Sequence, residues 1–237
     1  MRQKGFSRFI LVLAAAALVV QPALSIASEA SKLDEATAVL REIMSIPEKE
    51  IPPQLFRNAH GIAIIPGLIK AGFFVGGRFG TGVLSVNHGG KWSPPVFIAL
   101  TGGSFGLQIG AESTDIILVF KTARGIDAIR RGKFTLGADI AVAAGPVGRH
   151  AEAATDVELK AEIYSYSRSR GLFGGIALEG AVLQIDRDAN ISSYGRKGSN
   201  PDDILAGRVK ASASALRRRM RFSTVRASAK ELGGMMQ

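Results

Sequence analysis

Residues 60–88 decide the fold: His60-Gly61-Ile62-Ala63-Ile64-Ile65-Pro66, then Lys70-Ala71-Gly72-Phe73, then Gly76-Gly77-Arg78-Phe79-Gly80-Thr81-Gly82-Val83-Leu84, ending in Asn87-His88. Short runs of Val, Ile and Phe with no helical period read as strands. Glycines stand where strand side chains are expected, at Gly72, Gly76, Gly77, Gly80 and Gly82. A glycine inside a strand marks a bulge, strong curvature or a close backbone approach. The stretch therefore predicts strands over 61–66, 71–79 and 81–87 in a curved sheet. The same texture predicts further strands over 96–100, 104–112, 114–120, 134–143, 159–169, 172–179 and 181–187. Reversals are marked by Asn87-His88-Gly89-Gly90 and by Gly145-Pro146.

Helical periods flank and interrupt this β region. Over 29–45, Leu33, Ala36, Leu40, Ile43 and Met44 fall on one face, and Pro47 ends the segment. Pro52-Pro53 opens a short second helix through Phe56. Over 122–131, Ile126 and Ile129 lie on one side and Arg124, Arg130 and Arg131 on the other. The fold class is α+β: a curved, glycine-rich antiparallel sheet or half-closed barrel with N-terminal helices and one internal helix.

At the N-terminus, Arg2, Lys4 and Arg8 precede an apolar run from Phe9 to Val20, and Ser25 and Ala27 follow in small–x–small spacing. This order predicts a cleavable export signal over residues 1–27. An uncleaved anchor is the rival reading, but the run is short of the roughly 20 residues a spanning helix needs. The expected location is outside the cytoplasm, in the periplasm, with peripheral contact to a membrane. The chain has no cysteine, so stability must come from packing rather than disulfides.

The charge is segregated. Residues 28–195 hold 17 basic and 17 acidic residues, whereas residues 196–237 hold ten basic residues against Asp202, Asp203 and Glu231. A domain over 28–207 and a basic tail over 208–237 are expected. In the tail Val209, Ala213, Leu216 and Met220 have helical spacing.

The motifs resemble those of the SYLF domain family. Besides the blocks in 60–84, the likeness runs through Trp92-Ser93-Pro94-Pro95, Gly103-Ser104-Phe105-Gly106-Leu107-Gln108-Ile109-Gly110, Leu136-Gly137 and Gly145-Pro146-Val147-Gly148-Arg149. It ends through Tyr164-Ser165-Tyr166-Ser167, Gly171-Leu172-Phe173-Gly174-Gly175, Leu178-Glu179-Gly180 and Tyr194-Gly195. The resemblance covers about residues 30–207 and implies a non-enzymatic lipid-binding domain. It also implies phosphoinositide and actin binding in eukaryotic relatives that carry SH3 or FYVE modules. For an exported protein actin is an unlikely partner. The resemblance places membrane contact on a basic N-terminal helix, but here that helix sets Lys32 and Arg41 against Glu29, Asp34, Glu35 and Glu42. The basic surface thus does not carry over. Lys210, Arg217, Arg218, Arg219 and Arg221 are the better candidates for anionic headgroups. Trp92 is a further candidate, read either as a packed aromatic or as one that enters an interface.

Other chemistries fit less well. Gly102-Gly103-Ser104-Phe105-Gly106 has the nucleophile-elbow spacing, with Asp139 and His150 following in hydrolase order, but the residues after Ser104 alternate as a strand. His60, His88 and His150 lack second ligands at helical spacing, so no metal is expected. Asp186-Arg187-Asp188-Ala189-Asn190 lacks the glycine and distal glutamate of a calcium loop and reads as a turn. Tyr164 and Tyr166 share one strand face, in a core or a groove. The arginine run has no interleaved aromatics, and no nucleic-acid partner is expected. An integral outer-membrane β-barrel remains the alternative class; the internal helix and the short strands count against it.

Overall fold

The computed structural model describes residues 29–43, 51–147, 160–169 and 172–209. The expected export signal, Met44, His150 and the tail from Lys210 onward lie outside the described residues.

Two strands dominate. β1 (Gly61–His88) and β3 (Val96–Phe120) pair antiparallel from Gly61 against Phe120 to Leu84 against Val96. Between them, β2 (Lys91–Trp92) folds back on Asn87 and His88. The three short strands expected over 61–87 are thus one strand, and so are the three over 96–120. Glycine and Pro66 do not end the ladder here; they bend it, since a strand relieved of side chains can curve while its hydrogen bonds continue.

The register slips between Ile65 and Leu68 and again between Gly72 and Phe74. At the second slip β1 passes only Phe73 while β3 passes Leu107, Gln108 and Ile109, so the ribbon turns sharply with β3 on the outside. The turn brings β1 back onto itself. Asn87 N donates to His60 O at 2.8 Å. Gly82 approaches the Ile64 carbonyl so closely that a Cβ there would overlap it.

The remaining strands build outward from β3. β6 (Ile163–Ser169) pairs with residues 115–120 and β8 (Val182–Ile185) with residues 98–101. β7 (Leu172–Gly175) lies on β6, and β4 (Lys133–Thr135) lies on β8. β5 (Val142–Ala144) runs parallel to β6, a departure from the all-antiparallel expectation. The connection over 145–162 is long enough for the crossover a parallel pair needs. The strand expected over 134–143 is split into β4 and β5 by a tight turn in which Gly137 has φ 84°.

The helices are α1 (Glu29–Ile43), α2 (Pro53–Arg57), α3 (Ala123–Arg130), α4 (Arg187–Tyr194) and α5 (Pro201–Leu205). Helix α4 corrects the turn expected at Asp186–Asn190. Asp186 is its N-cap, accepting from Ala189 N at 3.1 Å, which satisfies an otherwise orphaned amide. Capping and turn geometry draw on the same residue types, so short polar stretches are ambiguous in sequence.

Side chains of β1 and β3 alternate into two cores. Ala63, Ile65, Leu84, Ile98, Leu100, Ile116 and Leu118 face the core closed by Ile126 and Ile129 of α3 and Ile204 and Leu205 of α5. Ile62, Ile64, Val83, Phe97, Ile117 and Val119 face the core closed by α1 and α2, through Leu33, Leu40, Ile43, Leu55 and Phe56. Each fully buried aliphatic contributes on the order of 1.5–3 kcal/mol. The sheet is curled, open-edged and covered by helices on both faces. A transmembrane barrel is instead a closed ring with a lipid-facing exterior. None of the described helices is long and apolar enough to cross a membrane.

Candidate functional site

The hairpin turn and the start of the tail are built together. Trp92 sits half-buried on β2, its ring 6.3 Å from that of Phe56 and tilted by 49°. Ser93 is buried behind it, accepting from Val86 N at 3.0 Å and donating to Pro94 O at 2.9 Å. Tyr194, at the end of α4, donates to Pro95 O at 2.6 Å, and burial pushes its phenol pKa upward. Asn190 is fully buried and satisfies both backbone groups of Phe97, donating to its carbonyl at 2.9 Å and accepting from its amide at 3.0 Å. Trp92-Ser93-Pro94-Pro95 is therefore a clamp that holds α4 against the turn.

Helix α5 is fixed to the same region. His88 Nε2 lies 2.7 Å from Leu205 O, so this nitrogen carries the proton. Arg130 donates to Asp202 at 2.6 Å, and its pKa is raised chiefly by that bond. Arg208 pairs with Asp203 at 2.7 Å. Two of the three acids after residue 195 are thereby matched inside the fold. From Val209 onward the sequence carries seven basic residues against Glu231. Val209 lies against Gly198, next to exposed Arg196 and Lys197, so the tail begins on a basic rim. Exposed Arg131 and Lys133 flank the start of β4, where Ile185 N donates to Gly132 O. The candidates Lys210, Arg217, Arg218, Arg219 and Arg221 lie outside the described residues.

Two other arginines are held within the structure. Arg168 is held between Asp115, with Nε at 3.0 Å, and Glu42 of α1. Burial opposes its charge but the two carboxylates outweigh it, leaving its pKa raised. Arg78 donates to Gly103 O at 3.0 Å and reaches Ala177 O at 3.5 Å; partial burial lowers its pKa, with Glu179 opposing.

The candidate hydrolase elements do not assemble. Ser104 is an interior strand residue paired with Gly76, with no strand-to-helix turn after it. Asp139 accepts from Thr135 N at 2.6 Å and closes a turn. Tyr164 and Tyr166 are core residues beneath α1, with burial raising both phenol pKa values. Among the described residues no cluster of His, Asp and Glu could hold a metal ion.

Comparison with known proteins gives the family. Residues 101–221 match the Ysc84 profile, described as Las17-binding protein actin regulator. The chain belongs to the Ysc84, or SYLF-domain, family. It is 37% identical over 186 residues to SH3 domain-containing YSC84-like protein 1 of Xenopus laevis, covering 76% of this chain and 55% of that protein. It is 38% identical over 167 residues to LAS seventeen-binding protein 3 of Saccharomyces cerevisiae, covering 69% of this chain and 36% of that protein. The rat YSC84-like protein 1 is 37% identical over 192 residues, 78% of this chain and 56% of its own length. The chain thus spans about half or less of these relatives. Their names describe binding and SH3-containing proteins, so at family level this is a non-enzymatic class. The profile's span runs through the arginine run at 217–221.

Proposed function

We propose that this Ysc84-family protein is a non-enzymatic module that binds anionic lipid headgroups at a membrane surface outside the cytoplasm. The observation that carries this reading is the separation of charge. Asp202 and Asp203 are matched by Arg130 and Arg208, and the tail leaves from the rim of Arg196 and Lys197 with its own excess unmatched in sequence. Each basic residue held near an anionic surface adds on the order of 1 kcal/mol. The signal-like order of residues 1–27 supports the export half of the proposal. Half-buried Trp92 is a secondary contact, placed at the same end as the tail.

Co-sedimentation of the mature protein with vesicles tests the reading. Binding to phosphatidylglycerol vesicles, weaker in high salt and after deletion of residues 210–237, is expected. Equal binding to zwitterionic vesicles, or binding indifferent to salt and deletion, would overturn the tail mechanism. A second reading, an actin-regulator role, draws on the family description. It predicts co-pelleting with actin filaments, whereas export of the chain would separate it from actin.

A further inference from the structure

Charge is separated along the hairpin as well as along the chain. The β1–β2 turn end is assembled from the turn itself, α2, the loop 195–198 and the end of α5. Asn87 ties the turn to the residues after α2, donating from N to His60 O at 2.8 Å and from Nδ2 to Ala59 O at 3.2 Å. His88 ties it to α5 through Leu205 O, and Tyr194 ties the loop 195–198 to Pro95 O. This end exposes Arg57, Lys91, Arg196 and Lys197, and none of the four pairs with a carboxylate among the described residues. The nearby carboxylates are already matched: Asp203 by Arg208, Asp202 and Asp127 by Arg130, and Glu162 by Arg124. Lys121, whose amide donates to Glu162 O at 2.8 Å, and exposed Lys160 add to the same end. Glu48, Lys49 and Glu50 precede α2 outside the described residues, and the first turns of α1 carry Lys32 against Glu29, Asp34 and Glu35. Even with all of these counted here, cations outnumber carboxylates before the tail is added. The outer limbs are the reverse. Lys70 and Arg78 stand against Glu112, Asp115 and Glu179, and Arg168 is held between Asp115 and Glu42. From Phe120 to Glu112 is roughly 25 Å of strand, well beyond the Debye length of about 8 Å at physiological salt. The outer carboxylates therefore do not offset the cations at the turn.

We propose that the β1–β2 turn end is an ordered docking face for an anionic bilayer, on which Arg57, Lys91, Arg196 and Lys197 meet headgroup phosphates. The proposal rests on the lipid-binding reading above and moves part of the contact from the tail into the fold. Two features select an extended lipid surface over a protein patch. The tail leaves from this same end at Val209, with seven basic residues against Glu231. Face and tail together are complementary to negative charge spread over a wide plane. Trp92, the sole tryptophan, is half-buried at this end, and indole rings settle at the headgroup level of a bilayer. The face is held in advance by the bonds of Asn87, His88 and Tyr194, so its backbone loses no freedom on contact. An orientation follows: the turn and α2 lie toward the bilayer, and the outer limbs point away from it.

Vesicle co-sedimentation of the mature protein tests the face. Lys91→Gln combined with Lys197→Gln, both exposed and without carboxylate partners among the described residues, is expected to weaken binding to phosphatidylglycerol vesicles on the order of thirtyfold. The matched pair Arg41→Gln and Lys133→Gln removes the same charge from exposed positions elsewhere, and a loss below about threefold is expected. Thermal midpoints of both variants should stay at the wild-type value. Because the chain has no cysteine, Asn58→Cys beside Arg57 and Ser113→Cys on the outer limb, both exposed, can each carry a single fluorophore. Lipid bearing a nitroxide on its headgroup is expected to quench the label at 58 and not the label at 113. Equal weakening by the two pairs, or quenching at 113 rather than 58, overturns the face and leaves lipid binding by the tail standing. Failure of the wild-type protein to bind any vesicle overturns both. Vesicle binding indifferent to Lys91→Gln/Lys197→Gln, with co-pelleting on actin filaments lost instead, assigns the face to a protein partner and overturns the proposal.

Discussion

The feet and the outer limbs of the β1–β3 hairpin share one hydrogen-bond ladder and live in opposite surroundings. At the feet, residues 61–65, 80–84, 96–100 and 116–120 are buried on both faces, between α1 and α2 on one side and α3 and α5 on the other. On the outer limbs Ile69 and Phe79 stand in the open. Backbone pairing thus sets the path of a strand but not its stability; what covers the faces does that. Glycine has two meanings along the same strand. Gly82 is small because the Ile64 backbone occupies the space of a side chain, whereas Gly103 has nothing within 4 Å of where a Cβ would be.

Six substitutions break or sharpen this contrast. Gly82→Val is expected to be the most damaging, costing more than about 3 kcal/mol or preventing folding, since neither backbone can withdraw. Gly103→Ala serves as its counterpart, and a Gly103→Ala melting curve as depressed as that of Gly82→Val would abolish the distinction. Leu100→Ala, in the core under α3, is expected to cost about 2–5 kcal/mol in urea unfolding. Asn190→Ala strands the amide of Phe97 in the interior, while the carbonyl keeps its bond from Asp186 N, and a loss of about 2 kcal/mol is expected. Hydrogen exchange at Phe97 should rise in step if the clamp is local. Asp186→Ala removes the α4 cap for about 1 kcal/mol, read by calorimetry. Phe79→Ala is expected to change stability by less than about 0.5 kcal/mol. A larger loss would show that the ribbon face is covered in the folded protein.

Much of this was legible beforehand because periodicity and glycine placement are local signals. The buried stripe of α1, the face of α3 with Ile126 and Ile129 inward, and the curved antiparallel sheet all follow from side-chain spacing. Strand lengths were not legible. Residues 67–70 and Gly80 fell between expected strands, because a break and a bulge have the same composition and differ only in whether a partner keeps its ladder alongside. Helix α4 was hidden for a related reason: Asp186 caps a helix with the residue type that also starts a turn.

By itself, then, the amino-acid sequence determined the α+β class, the apolar faces of α1 and α3, the family and the gathering of positive charge after residue 195. Tertiary structure alone decided that β1 doubles back so that Gly82 meets Ile64, and that Asp202 and Asp203 are matched by Arg130 and Arg208. It also decided that Ile69 and Phe79 on the outer limbs stand exposed. The first group depends on neighbours within a helical turn or a strand repeat. The second depends on groups brought together from up to about seventy residues apart, through a register that no local pattern encodes.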